Sequence, residues 1–237
     1  MPTQTPSSES KSATTSGFKN ATRVQVSIVT AAEKRTLAWL AAHMPAWVGS
    51  DHLTALGFAA QLMVGVSYWL SRYDPVWLLW GILFLAINWF GDSLDGTLAR
   101  FRNRQRPRYG FYVDHVIDAI GSTALMVGLA LSGYMSPLVA MALLVAFLLL
   151  AIEVYLATYT IGSFHLSFFN LGPTEIRIIL AIGNIALYVR GPWAHLHGRT
   201  FLLFDVGAVV ASIGMGIMFF YAAIKHTIQL YREERLP

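Results

Sequence analysis

Residues 91–118 read GDSLDGTLARFRNRQRPRYGFYVDHVID. Four aspartates and five arginines fall within these 28 residues, and a long apolar run stands on either side. Asp92 and Asp95 are three apart; Asp114 and Asp118 are four apart. On a helix, either spacing puts both carboxylates on one face. The connection between the two pairs is short. The helices that carry them are therefore expected to be antiparallel neighbours, with all four carboxylates gathered at one end.

The rest of the chain explains why that gathering is unusual. Of 237 residues, 55% are hydrophobic and only 13% charged. A soluble domain carries about 25% charged residues. Mean hydropathy is +0.52. Such a chain is expected to be an integral membrane protein. It has no cysteine, which excludes a disulfide framework and a Cys-ligated metal. The isoelectric point near 9.4 reflects basic residues facing the cytoplasm rather than a nucleic-acid surface, because no basic stripe is interleaved with aromatics.

Residues 1–30 form a polar Ser- and Thr-rich tail without the apolar core of a signal peptide. They are expected to be disordered. Residues 31–50 place Leu37, Leu40, Met44 and Trp47 at helical spacing beside Lys34 and Arg35, which predicts an amphipathic juxtamembrane helix. Six apolar segments follow, near 53–71, 76–98, 110–132, 137–160, 174–191 and 201–224, each close to the ~20 residues that cross a bilayer. The fold expected is all-α, with six transmembrane helices over 51–226 and a cytoplasmic tail at 227–237. With the N-terminus inside, fourteen of the seventeen Lys and Arg lie on the cytoplasmic side.

Four carboxylates at a membrane edge are costly unless compensated, and ionisable groups in spans mark function. Oxygen-only ligands suit Mg²⁺, Mn²⁺ or Ca²⁺. Four aspartates have the capacity for two such ions, the usual equipment for displacement at phosphorus. Gly96 and Ala99 leave room beside the acidic face, Arg100 is placed to pair with a phosphate, and Gly110 makes a second gap. A divalent-cation or proton-coupled transporter is the alternative from another class.

Written as a pattern, the stretch is D-x-x-D-G-x-x-A-R, nine residues, then G-x-x-x-D-x-x-x-D. It resembles the motif of the CDP-alcohol phosphotransferase family. The gap of nine is one residue longer than that family's usual spacing, and the extra residue falls in the Arg-rich loop. The resemblance implies transfer of a substituted phosphate from a CDP-linked donor to an alcohol, with release of CMP. It implies that Asp92, Asp95, Asp114 and Asp118 bind two divalent ions, Mg²⁺ or Mn²⁺. Asp118 would also be the catalytic base. Gly96, Ala99, Arg100 and Gly110 would border the CDP. One of the two substrates would be a lipid, and the protein a homodimer with no nucleic-acid partner.

Two subclasses compete. Asp114-His115 and the segment YTIGSFHLSFFNLGPTEIR (159–177) are similar to choline/ethanolamine phosphotransferases, which favours CDP-choline or CDP-ethanolamine with diacylglycerol. The alternative is phosphatidyl transfer from CDP-diacylglycerol to glycerol phosphate, inositol phosphate or serine. His115, Glu153, Glu175 and Arg177 are the candidates for an acceptor pocket. Asp205, at the opposite end of its span, is expected to lie far from the chemistry.

Overall fold

The computed structural model describes residues 30–161, 172–196 and 198–235. The polar tail at 1–29 and the segment 162–171, which carries most of the choline/ethanolamine-like stretch, lie outside these described residues. Seven helices are found among them: α1 Thr30–His43, α2 Ser50–Ser71, α3 Trp77–Phe101, α4 Pro107–Ser132, α5 Pro137–Thr160, α6 Pro173–Arg190 and α7 Leu203–Glu233. Between α6 and α7 lies a hairpin, β1 Trp193–Leu196 and β2 Arg199–Leu202, with Trp193 opposite Leu202.

Local chemistry sets the boundaries. Proline occupies the first turn of α4, α5 and α6, where its missing N–H costs nothing. The Asp74 carboxylate accepts the Val76 amide at 2.9 Å just ahead of α3. Between α3 and α4 the chain turns at Asn103, whose φ of +52° is in the left-handed region that Asn tolerates. The non-helical residues 102–106 therefore absorb the extra residue of the motif gap. α4 ends at Gly133, φ +82°.

Five helices are long and apolar enough to cross a membrane: α2, α3, α4, α5 and α7. This is the first difference from the sequence reading. α6 has 18 residues and carries Glu175, Arg177 and Arg190, so composition alone does not qualify it. The outward faces are greasy as lipid requires. On α5, Leu138, Met141, Val145, Leu149, Ile152 and Leu156 form an exposed stripe at helical spacing. On α7, Val210, Ile213, Ile217, Phe220, Ile224 and Ile228 do the same.

α2 is the central post, packed on α3 and α4. Its close approaches depend on glycine. A methyl group on Gly91 would sit 2.6 Å from the Gly57 nitrogen, and one on Gly128 would overlap the Gly65 carbonyl oxygen. Neither is a distance that real carbons adopt, so α2 touches α3 and α4 backbone to backbone. Val64, Tyr68, Leu78, Leu85, Leu125 and Leu129 fill the core beside these crossings. Tyr68, 1% exposed, donates to Asn184 of α6 at 2.8 Å, and Asn184 donates to the Leu78 carbonyl at 3.2 Å.

Two further expectations need correction. The helix predicted over 31–50 stops at His43, and Trp47 lies in the turn that follows, 77% exposed. α1 instead packs Leu37 and Ala41 against Leu94 and Leu98 of α3. The stretch 192–202 is a hairpin rather than a loop leading into a helix at 201, because Gly198 (φ +77°) closes a tight reversal. The tail at 227–237 is helical as far as Glu233, since Ile228 and Tyr231 continue the apolar spacing of α7 past the point where charges begin.

Candidate active site

The two aspartate pairs land as the spacing predicts. Asp92 and Asp95 are in the last two and a half turns of α3, and Asp114 and Asp118 lie in the first half of α4. All four line one narrow cleft, together with Thr54, Gly57 and Gln61 of α2 and Asn88 of α3. Asp95 lies close enough to Asp92 and Asp114 to feel both charges. The floor is α2, which the glycine crossings hold against both acidic helices.

Each of the two α3 carboxylates has a neutralising or donating partner. Thr54 donates to Asp95 Oδ2 at 2.6 Å, and the Gly96 amide donates to the other oxygen of the same carboxylate. Asp92 Oδ2 accepts from Arg177 Nη2 of α6 at 2.5 Å. Arg177 Nε donates to Asn88 Oδ1 at 2.8 Å, and Asn88 Nδ2 donates to the Gly57 carbonyl at 2.9 Å. One helix from each side is thus tied into the cleft by a short polar chain.

The donor set fits a hard divalent ion: four carboxylates and no softer ligand, presented by two facing helices in one partly exposed cleft. Among the described residues, no three of the Asp, Glu or His side chains converge as ligands to one ion. Asp92 is turned to Arg177 and Asp95 to Thr54.

The remaining predicted residues divide. Gly96 is not tightly packed; a methyl there would meet only the Arg100 guanidinium, at 3.4 Å. Gly110 faces open space, with nothing within 4 Å of where a methyl would stand. Ala99 is half-buried on the same helix as Gly96. Arg100 is exposed and donates to Thr97 at 3.1 Å. Of the four acceptor-pocket candidates, Arg177 reaches a cleft carboxylate directly. Glu153 of α5 pairs with His226 of α7 at 2.6 Å. Glu175 accepts the Gly172 amide at 2.9 Å and so caps α6. His115 lies between Phe111, tilted over it with ring centroids 4.1 Å apart, and Tyr155, edge-to-face at 4.2 Å.

Sequence reasoning missed Thr54, Gln61, Asn88 and Tyr155, the last of which lies within electrostatic range of Asp118. Asn88 had a signal, as a polar residue inside an otherwise apolar run. Thr54 had none, because its importance comes from a partner 41 residues away. Arg102 follows the last residue of α3, in the Arg-rich loop. Its guanidinium bonds the carbonyls of Met44, Pro45 and Val48 at 2.9, 2.8 and 2.5 Å, clamping the turn between α1 and α2 to the end of α3.

Comparison with known proteins agrees with this geometry. An archaetidylinositol phosphate synthase from Pyrococcus horikoshii is 32% identical over 83 residues, which is 35% of this chain and 41% of that protein. The chain therefore matches less than half the length of this relative. The family model described as CDP-alcohol phosphatidyltransferase matches residues 47–220, a range that holds α2 through α6, the hairpin and all four carboxylates. Length of match and motif agree, and the chain belongs to the CDP-alcohol phosphatidyltransferase family.

Proposed function

We propose that this protein is a phospholipid synthase that transfers a phosphatidyl-type group from a CDP-linked lipid to a phosphorylated polar alcohol, releasing CMP. The observation that carries the reading is the meeting of all four motif aspartates in one cleft, in a chain of this family. Family membership also favours it over the transport alternative.

In the proposed reaction, Asp118 accepts the proton of the acceptor hydroxyl. That oxygen bonds to the phosphorus bearing the lipid, and the bond from this phosphorus to the CMP oxygen breaks. Asp92, Asp95, Asp114 and Asp118 would hold two divalent ions, Mg²⁺ or Mn²⁺, which when bound neutralise the phosphate oxygens. Gly96, Ala99 and Gly110 leave space for the CDP, and Arg100 is exposed and placed to pair with its phosphates.

Two observations move the acceptor away from diacylglycerol. The relative's product is an inositol phosphate lipid by name. Arg177 also brings a guanidinium to the cleft, one nitrogen of which is buried with no hydrogen-bond partner among the described residues. A phosphorylated acceptor needs such a group. The Asp114-His115 pair that favoured choline or ethanolamine carries less weight, because the ring lies between Phe111 and Tyr155.

The proposed setting is an integral membrane protein with both termini cytoplasmic and the cleft at the cytoplasmic edge. α6 would be the sixth crossing. Arg177 is beside Asn88 and Asp92, while Asn184 is beside Leu78, so α6 runs antiparallel along α3 through the bundle. Its 18 residues span about 27 Å, close to the hydrocarbon thickness. A homodimer is proposed from the family resemblance.

The test is CMP release by purified protein in lipid micelles with Mg²⁺ or Mn²⁺. CDP-diacylglycerol with inositol phosphate or glycerol phosphate should give CMP. Diacylglycerol with CDP-choline or CDP-ethanolamine should not. Asp92→Asn and Asp114→Asn should each abolish release in folded protein. CMP only in the second arm would overturn the acceptor assignment; undiminished release by both variants would overturn the site.

A further inference from the structure

We propose that Arg177 is a resident cation of the carboxylate cleft, which a divalent ion must displace from Asp92 for the cleft to load, releasing α6 from the carboxylate of α3. This rests on the reading that the four aspartates hold metal.

The geometry is that of a latch. Arg177 contacts Asp92 through Nη2 at 2.5 Å and Asn88 through Nε at 2.8 Å. Asn88 is itself fixed by its bond to the Gly57 carbonyl, so its oxygen is aimed at the guanidinium. The side chain of Arg177 is 16% exposed, whereas that of Asp92 is 41% exposed. The oxygen that Arg177 occupies therefore belongs to the more open partner of the pair. A cation arriving from water competes for the same lone pairs.

The latch is also incompletely satisfied. Arg177 Nη1 is buried and has no hydrogen-bond partner among the described residues. An unpaired buried donor on a charged group is costly, so the closed arrangement is not the best the guanidinium can achieve. Departure from Asp92 lets that nitrogen find a partner.

The release is local because α6 is held elsewhere as well: in its first turn Thr174 donates to Glu33 Oε1 of α1 at 2.7 Å. Asn184, fully buried, bonds Tyr68 and the Leu78 carbonyl near the other end of α3. None of those partners is a cleft carboxylate. Displacing Arg177 therefore removes the tie from α6 to the cleft carboxylate while leaving Thr174 and 184–188 in place. Arg177 is thus a positioning residue, acting through Asp92.

The experiment is a Mn²⁺ titration of thermal unfolding on the full chain in micelles, with Arg177→Gln, Arg177→Lys and Asp114→Asn. Removing the competing cation should lower the Mn²⁺ midpoint of R177Q about fivefold or more relative to the parent, the scale of a partly exposed ion pair. R177K keeps the charge but loses the planar two-point grip, so its midpoint should fall in between. In the parent protein, Mn²⁺ should speed amide exchange at 176–178, the first amides of α6 with a helical acceptor, and leave 184–188 protected. An R177Q midpoint equal to or above the parent's would overturn the proposal. If R177Q does not fold, R177K at the parent's midpoint would overturn it, because that is the signature of long-range charge alone. A response of the parent that D114N abolishes and both Arg177 variants leave unchanged would sink the latch and keep the metal reading. No response of the parent at all would sink both.

Discussion

Thr54 of α2 donates its hydroxyl to Asp95 of α3, Oγ1 to Oδ2 at 2.6 Å. The bond crosses between two helices and holds one motif carboxylate in orientation. Thr54→Val keeps the shape and removes the donor. The variant should lose about 1–2 kcal/mol of stability, the cost of an unmade bond to a part-buried charged group. CMP release should fall about tenfold, the penalty for misplacing one of the carboxylates proposed to hold the ions. Thr54→Ser should recover most of both. Thermal unfolding and CMP release measured on the same preparations check this.

Arg102 makes a second prediction. Its guanidinium satisfies carbonyls at Met44, Pro45 and Val48, which have left α1 and not yet entered α2. The Pro45 oxygen also accepts the Val48 amide at 3.1 Å. Arg102→Ala should destabilise the protein by about 1–3 kcal/mol. Lysine should restore only part, since a single ammonium does not match the fork of a guanidinium. Because α1 rests on α3 through Leu37 and Ala41, proteolysis should begin in the turn at 44–49 in R102A. An unfolding temperature equal to the parent's would show the clamp to be inert.

The carboxylate arrangement was legible because it needed only helical period and one short loop. Asp92 with Asp95 and Asp114 with Asp118 meet for the reason their spacing states. The turn between them was legible too: the apolar runs stop at 98 and restart at 110, and residues 102–106 lie between α3 and α4. What failed was anything decided by a distant partner or by a change of period. Glu153 and Glu175 looked like free charges near the site; His226 and the Gly172 amide hold them instead. The hairpin at 193–202 consists of two four-residue strands, too short for alternation to stand out from a connector. The apolar stripe at 37–47 has helical spacing, yet Pro45 interrupts it, and Trp47 falls outside α1.

Asp205 supports a prediction at the opposite end of the molecule. It accepts the Ser136 amide at 2.7 Å and the Ser136 hydroxyl at 2.5 Å, joining the start of α7 to the start of α5. Asp205→Ala leaves that amide and hydroxyl without their acceptor and should cost about 1–2 kcal/mol. The KM for the CDP-linked donor should be unchanged, because the Asp205 carboxylate is engaged by Ser136 and not by a residue lining the cleft. A donor KM raised several-fold in folded D205A would show that the two ends are coupled.

Gly110 and Gly128 sit in the same helix and should respond oppositely to the same substitution. A methyl at Gly128 would overlap the Gly65 carbonyl oxygen, which is backbone and cannot swing aside. Gly128→Ala must separate α4 from α2, and with it the floor beneath Asp114 and Asp118. It should lower the unfolding temperature sharply, on the scale of overpacking, about 1–3 kcal/mol or more. A methyl at Gly110 meets nothing within 4 Å. Gly110→Ala should therefore unfold at or slightly above the parent temperature, alanine being the better helix former by about 1 kcal/mol. If the space at Gly110 is where the donor nucleotide passes, the same variant should raise the KM for the CDP-linked donor several-fold. A stable G110A with an unchanged donor KM would remove Gly110 from the nucleotide site, leaving a glycine that neither packing nor binding explains.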